Sequence, residues 1–274
     1  MTILPKPSAA TGANGRAEGG TASLDDLAAE LRAVRRTGLP CPTVSSRFPE
    51  LDVDAAYRIQ TTNAEHRARA GARTAGYKIG LTSRAMQQQM GIHEPDSGVI
   101  HSDTLVQSGS QLRTDAYRAP RIETEIAFVL GQDLAGPADL STVRAAISEY
   151  CLAYEILDTS YGTWDITLVD SVADNAACAG VITGPRLPFG PDTDPRTEQI
   201  TVHADGKRVA AGSGHDILGD PVLALHWLTR RRPHLRLRPG DIVLAGSVHA
   251  SLPLTAGRYH ARSSHLPAVH LHVI

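Results

Sequence analysis

The stretch Ala119-Pro120-Arg121-Ile122-Glu123-Thr124-Glu125-Ile126-Ala127-Phe128-Val129-Leu130 opens at a proline, runs through β-branched and aromatic residues, and stops at Gly131. That pattern predicts a strand. Alternation along a strand sends Glu123, Glu125 and Ala127 to one face and Ile122, Thr124, Ile126, Phe128 and Leu130 to the other, toward a core. Two carboxylates one pleat apart repel each other, and half-burial makes the repulsion costly. A divalent cation held by oxygen ligands removes that cost. The plainer alternative is an edge strand whose glutamates face water. Spacing alone leaves both readings open.

A third carboxylate lies downstream. Glu155 interrupts the apolar run at residues 151–157, and a lone charge there needs a partner. If that run is a neighbouring strand, Glu155 faces Glu123 and Glu125. Three carboxylates plus waters make an all-oxygen site suited to Mg²⁺ or Mn²⁺ rather than zinc. Lys78, in Tyr77-Lys78-Ile79-Gly80, is flanked by interior-type residues. Near a metal and out of water it is a proton carrier with a lowered pKa, or else a lysine snorkelling out of a strand end. Asp96, in Glu94-Pro95-Asp96-Ser97-Gly98, reads as part of a loop, either stabilising a turn or orienting a water.

Composition narrows the class. The chain has 274 residues, 42% hydrophobic but only 4% aromatic, so aliphatic side chains must do most of the packing. A net charge of −2 shows no basic excess and argues against nucleic acid as a partner. No apolar run reaches the roughly 18 residues of a membrane span, and no signal-peptide core opens the chain. Cys41, Cys151 and Cys178 lie far apart without CxxC spacing, which suggests buried thiols in a reducing compartment. The expected location is cytoplasmic. The twelve histidines include no HExxH or HxxxH pair, and His270 and His272 read as one polar, partly exposed strand face. Walker A, G-x-G-x-x-G and G-x-S-x-G motifs are absent.

Residues 1–22, rich in Gly, Ala, Thr and Pro, read as a disordered tail. Residues 23–75 form an N-terminal helical cap: Ser23 caps a helix carrying Leu27, Leu31 and Val34, and a second helix runs from near Asp52 to Gly71. Residues 76–274 form a β-rich catalytic domain. Within it we expect a helix from Ser83 to Gly91, a short helix at 141–150, a hairpin around Asp205-Gly206, a helix at 221–230 capped by Asp220, and a last strand at 268–273. Strands with few crossover helices predict an α+β fold with a mixed β core.

Six ordered motifs carry a resemblance. They are Lys78-Ile79-Gly80-Leu81-Thr82-Ser83, Glu94-Pro95-Asp96, the Pro120–Leu130 stretch, Tyr154-Glu155-Ile156-Leu157-Asp158, the segment from Trp164-Asp165-Ile166 to Asp170-Ser171-Val172-Ala173-Asp174-Asn175-Ala176, and Gly240-Asp241-Ile242-Val243-Leu244-Ala245-Gly246-Ser247. Together, from about residue 24 onward, the chain resembles the fumarylacetoacetate hydrolase superfamily, in its branch of 2-oxopent-4-enoate hydratases and 4-oxalocrotonate decarboxylases. The resemblance implies a β-roll core and a homo-oligomer. It implies that Glu123, Glu125 and Glu155 bind Mg²⁺ or Mn²⁺, that Lys78 and Asp96 are the acid–base pair, and that Gly246 and Ser247 lie near a small 2-oxo acid substrate. The implied reaction is hydration of a 2-hydroxy-2,4-dienoate to a 4-hydroxy-2-oxo acid. Decarboxylation of a 4-oxalocrotonate-like diacid, hydrolysis of an acylpyruvate, or a non-catalytic relative with an altered rim are the alternatives. The rim departs from the pattern: Ser97 replaces an aromatic, Val248-His249-Ala250-Ser251 replaces Phe-Thr-Arg-Pro, and Arg262-Ser263-Ser264 replaces Asp-(Tyr/Phe)-Gly.

Overall fold

The computed structural model describes residues 22–274; the expected tail at 1–22 lies outside them but for its last residue. Three helices come first: α1 (Leu24–Thr37), α2 (Val44–Arg47) and α3 (Val53–Arg69). Ser23 and Asp26 form the capping box of α1, and Gly38, at φ 76°, closes it in a left-handed turn. Asp52 caps α3 through the Ala55 amide at 2.7 Å.

The chain then builds β1 (Thr74–Gly80), α4 (Arg84–Met90), β2 (Asp96–His101), β3 (Leu105–Gln107), β4 (Ser110–Leu112) and β5 (Arg121–Leu130). Next come β6 (Leu134–Ala135), α5 (Leu140–Ala146), β7 (Ile147–Leu157), α6 (Leu168–Ala173), β8 (Cys178–Thr183) and β9 (Leu187–Pro188). The last third holds β10 (Gln199–Ala204), β11 (Lys207–Ser213), α7 (Val222–Arg231), β12 (Arg236–Leu237), β13 (Ile242–Ser247), β14 (Leu252–Pro253), β15 (Gly257–Arg262) and β16 (Val269–Val273).

A nine-stranded sheet runs β2-β1-β13-β5-β7-β8-β3, with β14 added to β5 and β9 to β7. It is mixed: β1 lies parallel to β13 and β3 to β8, and the other pairs are antiparallel. A second sheet, β11-β10-β15-β16-β4, packs against it. This is the expected α+β fold with a mixed, roll-like β core. Ile126, Phe128, Leu152 and Tyr154 from the large sheet meet Val202, Tyr259, Ala261 and Leu271 from the small one in the main core. Phe128 is fully buried, and its truncation to alanine would cost about 3–5 kcal/mol. A second core joins α1 and α3 to Val172 and Ala173 of α6, so the N-terminal helices are rooted in the β-rich part of the chain.

Two sequence expectations need correction. Asp96, Ser97 and Gly98 are not loop residues; they open β2, pair with Gly80, Ile79 and Lys78 of β1, and are buried. The turn-like composition is overridden by a paired neighbour strand. The helix expected at 141–150 ends at Ala146, because Ile147 already pairs with Leu130 and extends β7. No helix among the described residues is long and apolar enough to cross a membrane.

Candidate metal centre

β5 lies in the middle of the large sheet, between β13 and β7, so the edge-strand reading of its glutamates fails. Glu123 is 3% exposed, and Glu125 and Glu155 are fully buried. Glu123 is the direct partner of Glu155 across the β5–β7 pair. All three carboxylates therefore share one face, and they offer oxygens that lie within 4.8 Å of one another. Ala127 and Val129, farther along the same face, pack into an apolar patch with Cys151, Val181 and Leu244.

Such a cluster cannot stay fully ionised by itself. Burial, reinforced by Glu155, pushes the Glu123 carboxyl up to about 8. Burial and both neighbouring glutamates hold Glu125 well above the ordinary range. Burial also raises Glu155, against the opposing pull of Lys78. Glu123 Oε1 and Glu125 Oε1 accept no hydrogen bond, nor does either oxygen of Glu155, although Lys78 Nζ stands 3.4 Å from Glu155 Oε2. Buried acceptors without donors are rare in folded proteins. This all-oxygen, anionic and unsatisfied set fits a hard divalent cation.

Lys78 projects from β1 beside the glutamates and is buried. Burial opposes its charge, but Glu155, Asp96 and Glu123 outweigh that and hold the ammonium above the ordinary lysine range. The bare carboxylates thus reverse the lowering that burial alone would bring to Lys78. Asp96, opposite Gly80, accepts a 2.6 Å hydrogen bond from Ser171 Oγ on Oδ2, while Oδ1 accepts none. A Cβ on Gly80 would come within 2.3 Å of Asp96 Oδ1 and 3.0 Å of Lys78 Nζ, so the missing side chain brings acid and amine together.

Gly246 and Ser247 have other partners at hand. The Gly246 amide donates to Glu125 Oε2 at 2.6 Å, and Ser247 Oγ donates to the His249 carbonyl at 2.7 Å. His249, from the altered rim segment, is buried and bridges Thr124 Oγ1 (3.0 Å) and the Ala250 carbonyl (2.8 Å). Ser251 is gripped by Gln89 of α4 and by Arg121, tying this segment to α4 and to the start of β5.

Lys78, Asp96, Glu123 and Ser171 line a cavity whose remaining wall is largely apolar: Leu81, Met86, Met90, Leu157, Trp164 and Ile166. Ser171 is the residue that sequence reasoning quoted but gave no task. Its signal was the helix N-terminus at Thr167, whose capping box with Asp170 sets the serine on the turn facing Asp96. Nearby, Asn175, Ala176 and Ala177 all have φ between 50° and 59°, a strained left-handed run. It is held by the Asn175 amide, which bonds both N–H and C=O of Val99, and it completes the cavity wall. Behind it, Arg35 of α1 reaches Asp174 at 2.9 Å and the Asp158 carbonyl at 3.1 Å, and Arg118 pairs with Asp158 at 2.9 Å.

Comparison with known proteins agrees with this architecture. The family described as fumarylacetoacetate (FAA) hydrolase C-terminal matches residues 57–265. The TodF product hydratase of Pseudomonas putida is 36% identical over 225 residues, 81% of this chain and 84% of that protein. The 2-keto-4-pentenoate hydratase of Paraburkholderia phymatum is 34% identical, over 90% of this chain and 95% of its own length. The solved 4-oxalocrotonate decarboxylase of Pseudomonas putida G7, complexed with magnesium and adipate, superposes with a TM-score of 0.86 at 26% identity, covering 93% of this chain and all of that one. The family match over residues 57–265, relatives more than 30% identical over most of the chain, and the shared fold agree: the chain belongs to the fumarylacetoacetate hydrolase family.

Proposed function

We propose that the chain is a divalent-metal-dependent hydratase that adds water to a 2-hydroxy-2,4-dienoate, by way of its unsaturated 2-oxo tautomer, to give a 4-hydroxy-2-oxo acid. The observation that carries the reading is the cluster of Glu123, Glu125 and Glu155, which Lys78 contacts through Glu155 and which opens through Glu123 into a cavity that Lys78 and Asp96 also line. The hydratase names of its relatives support it. Glu123, Glu125 and Glu155 would hold the cation, Mg²⁺ or Mn²⁺, which supplies Lewis-acid polarisation of the substrate's carboxylate and 2-oxygen.

The chain's own groups account for the proton movements. Lys78 donates to the terminal alkene carbon and recovers a proton from the enol oxygen, which completes ketonisation. Asp96 Oδ1, left without a partner while Ser171 fixes Oδ2, takes one proton from the water whose oxygen adds to C4, and that proton is returned to C3, which completes the 4-hydroxy-2-oxo acid. The Gly246 amide fixes the rotamer of Glu125. Leu157, Trp164 and Ile166 exclude bulk water from the reacting carbons.

The second reading, decarboxylation of a 4-oxalocrotonate-like diacid, is supported by the structural neighbour. The cavity wall speaks against it. Among its lining residues the only basic one is Lys78, which Glu155 already engages. Arg121 is engaged by Ser251 and lies over Trp164. A second substrate carboxylate would meet methionine and tryptophan.

The test is an ultraviolet assay of the purified protein with Mg²⁺ or Mn²⁺ on freshly generated 2-hydroxypenta-2,4-dienoate. Chelator-sensitive loss of dienol absorbance, with a 4-hydroxy-2-oxo acid seen by NMR, supports hydration. CO₂ release from 4-oxalocrotonate without turnover of the dienoate would replace it with the second reading. Turnover of neither substrate would refute both. The reading carries with it a cytoplasmic homo-oligomer, which light scattering on the native protein measures.

A further inference from the structure

The outer face of the small sheet holds a feature for which the proposed reaction has no use. His203 of β10 is the direct cross-strand partner of His260 on β15, and His260 is the direct partner of His270 on β16. Their alternate neighbours Val202, Tyr259, Ala261 and Leu271 point into the core, so all three imidazoles share the outward face. The His203 and His260 rings are stacked with centroids 4.7 Å apart and planes 4° from parallel, and His270 continues the row at 6.0 Å. His203 Nδ1 is buried and has no hydrogen-bond partner. Partial burial, reinforced by His203, Arg262 and His270, lowers the pKa of His260 and so favours its neutral, metal-ligating form.

We propose that this histidine row is a second, separate metal site, taking a borderline transition-metal cation of the Zn²⁺, Cu²⁺ or Ni²⁺ class. His203 and His260 are the chelating pair, and the more exposed His270 is the next donor along the row. Directly opposed cross-strand residues have Cβ atoms about 4.5–5.5 Å apart. Two imidazoles anchored at that spacing reach a shared ion at the usual metal–nitrogen distance of about 2.0–2.1 Å. Stacked rings direct their in-plane lone pairs side by side, so rotation about the side-chain bonds on this partly exposed face is needed to converge them. Arg258 and Arg262 flank His260 on its own strand. A set of neutral nitrogen donors without a carboxylate disfavours the hard cations suited to the glutamates and selects the imidazole-preferring ones, against the repulsion of the two arginines. The two centres thus differ in donor type and in sheet.

Cu²⁺ is the probe, because its electron paramagnetic resonance spectrum counts equatorial nitrogens. Copper is titrated into the full-length protein with Mg²⁺ in excess, beside the His203→Thr, His260→Thr double variant, with thermal unfolding confirming that both are folded. The wild type should bind one equivalent more than the double variant, with at least two equatorial nitrogens in the added signal. Each single variant should lose at least the about tenfold affinity that even a supporting contact contributes at a metal site. His270→Thr should weaken binding less. Equal stoichiometry and equal affinity in wild type and double variant, or an added signal with a single nitrogen or none, would overturn the proposal.

Discussion

Replacing Gly246 with alanine tests how the glutamate cluster is held. Gly246 sits at φ 107°, and a Cβ there would stand 1.8 Å from Thr82 Oγ1, 2.9 Å from Thr82 Cβ and 3.0 Å from the Ile79 carbonyl. Thr82 is buried and already donates its hydroxyl to the Ala245 carbonyl at 3.0 Å, so it has little room to withdraw. The left-handed backbone costs about 1–2 kcal/mol with a side chain present, and the overpacking about 1–3 kcal/mol more. At about 2–4 °C per kcal/mol for a chain of this size, the melting temperature should fall by roughly 4–20 °C. The same substitution displaces the amide that donates to Glu125 at 2.6 Å. A hydrogen bond to a charged group contributes about 1.5–3 kcal/mol, so Mn²⁺ affinity should drop about 10- to 100-fold. Gly71→Ala is the control: its φ is 97°, but no neighbour lies within 4 Å of the added carbon, so it carries backbone strain without the clash. Differential scanning calorimetry and Mn²⁺ calorimetry read both effects. If Gly246→Ala melts no lower than Gly71→Ala and binds Mn²⁺ like the wild type, the packing argument is refuted.

Lys78→Met, close in volume, should lower kcat by about 10²–10⁴-fold while Mn²⁺ affinity stays level or rises, because a buried positive charge beside the ligands is gone; steady-state kinetics with calorimetry checks it, and equal losses in both would contradict the assigned role. Ser171→Ala should cut kcat by roughly tenfold or more with little change in cation binding, since it frees Asp96 Oδ2 alone; an unchanged kcat would detach Asp96 from the chemistry. His101 is buried beside Arg67, and burial first, then that guanidinium, depresses its pKa to about 4. The unfolded chain takes up this proton from about pH 6.5 downward and the folded one only near pH 4, so stability is full above pH 6.5 and falls by up to about 3 kcal/mol across that window. Urea unfolding at pH 7 and pH 4.5 should show a smaller loss for His101→Gln than for the wild type.

The central strand and its third carboxylate were legible because period-two alternation is strictly local and Glu155 stood out in an apolar run. The N-terminal helices were legible for the same reason: the Ser23–Asp26 box, Gly38 and the Asp52 cap are chemical signals contained within a few residues. What escaped depended on distant partners. Asp96 reads as a loop residue until β1 pairs with it. Both faces of β5 are buried, which alternation does not reveal, because Ala127 and Val129 are covered by β8 and β13 residues far away in sequence. Lys78 illustrates the same limit in energy: burial alone predicts a lowered pKa, and only the assembled carboxylates reverse its sign. The Arg35 connection to Asp174, 139 positions apart, has no local sequence signal at all.

The ten paired positions of β5 on β7 also bear on how the chain reaches its native state. A slip of one residue would turn Glu123 and Glu125 toward the side occupied by Phe128 and Tyr154, where the two sheets meet and aliphatic and aromatic groups fill the space. Burying even one unpaired carboxylate there costs several kcal/mol, comparable to the whole net stability of a domain. The glutamates that make the site reactive therefore also guard against misthreading: near-native pairings of the longest strands are excluded by charge, before packing has to discriminate among them.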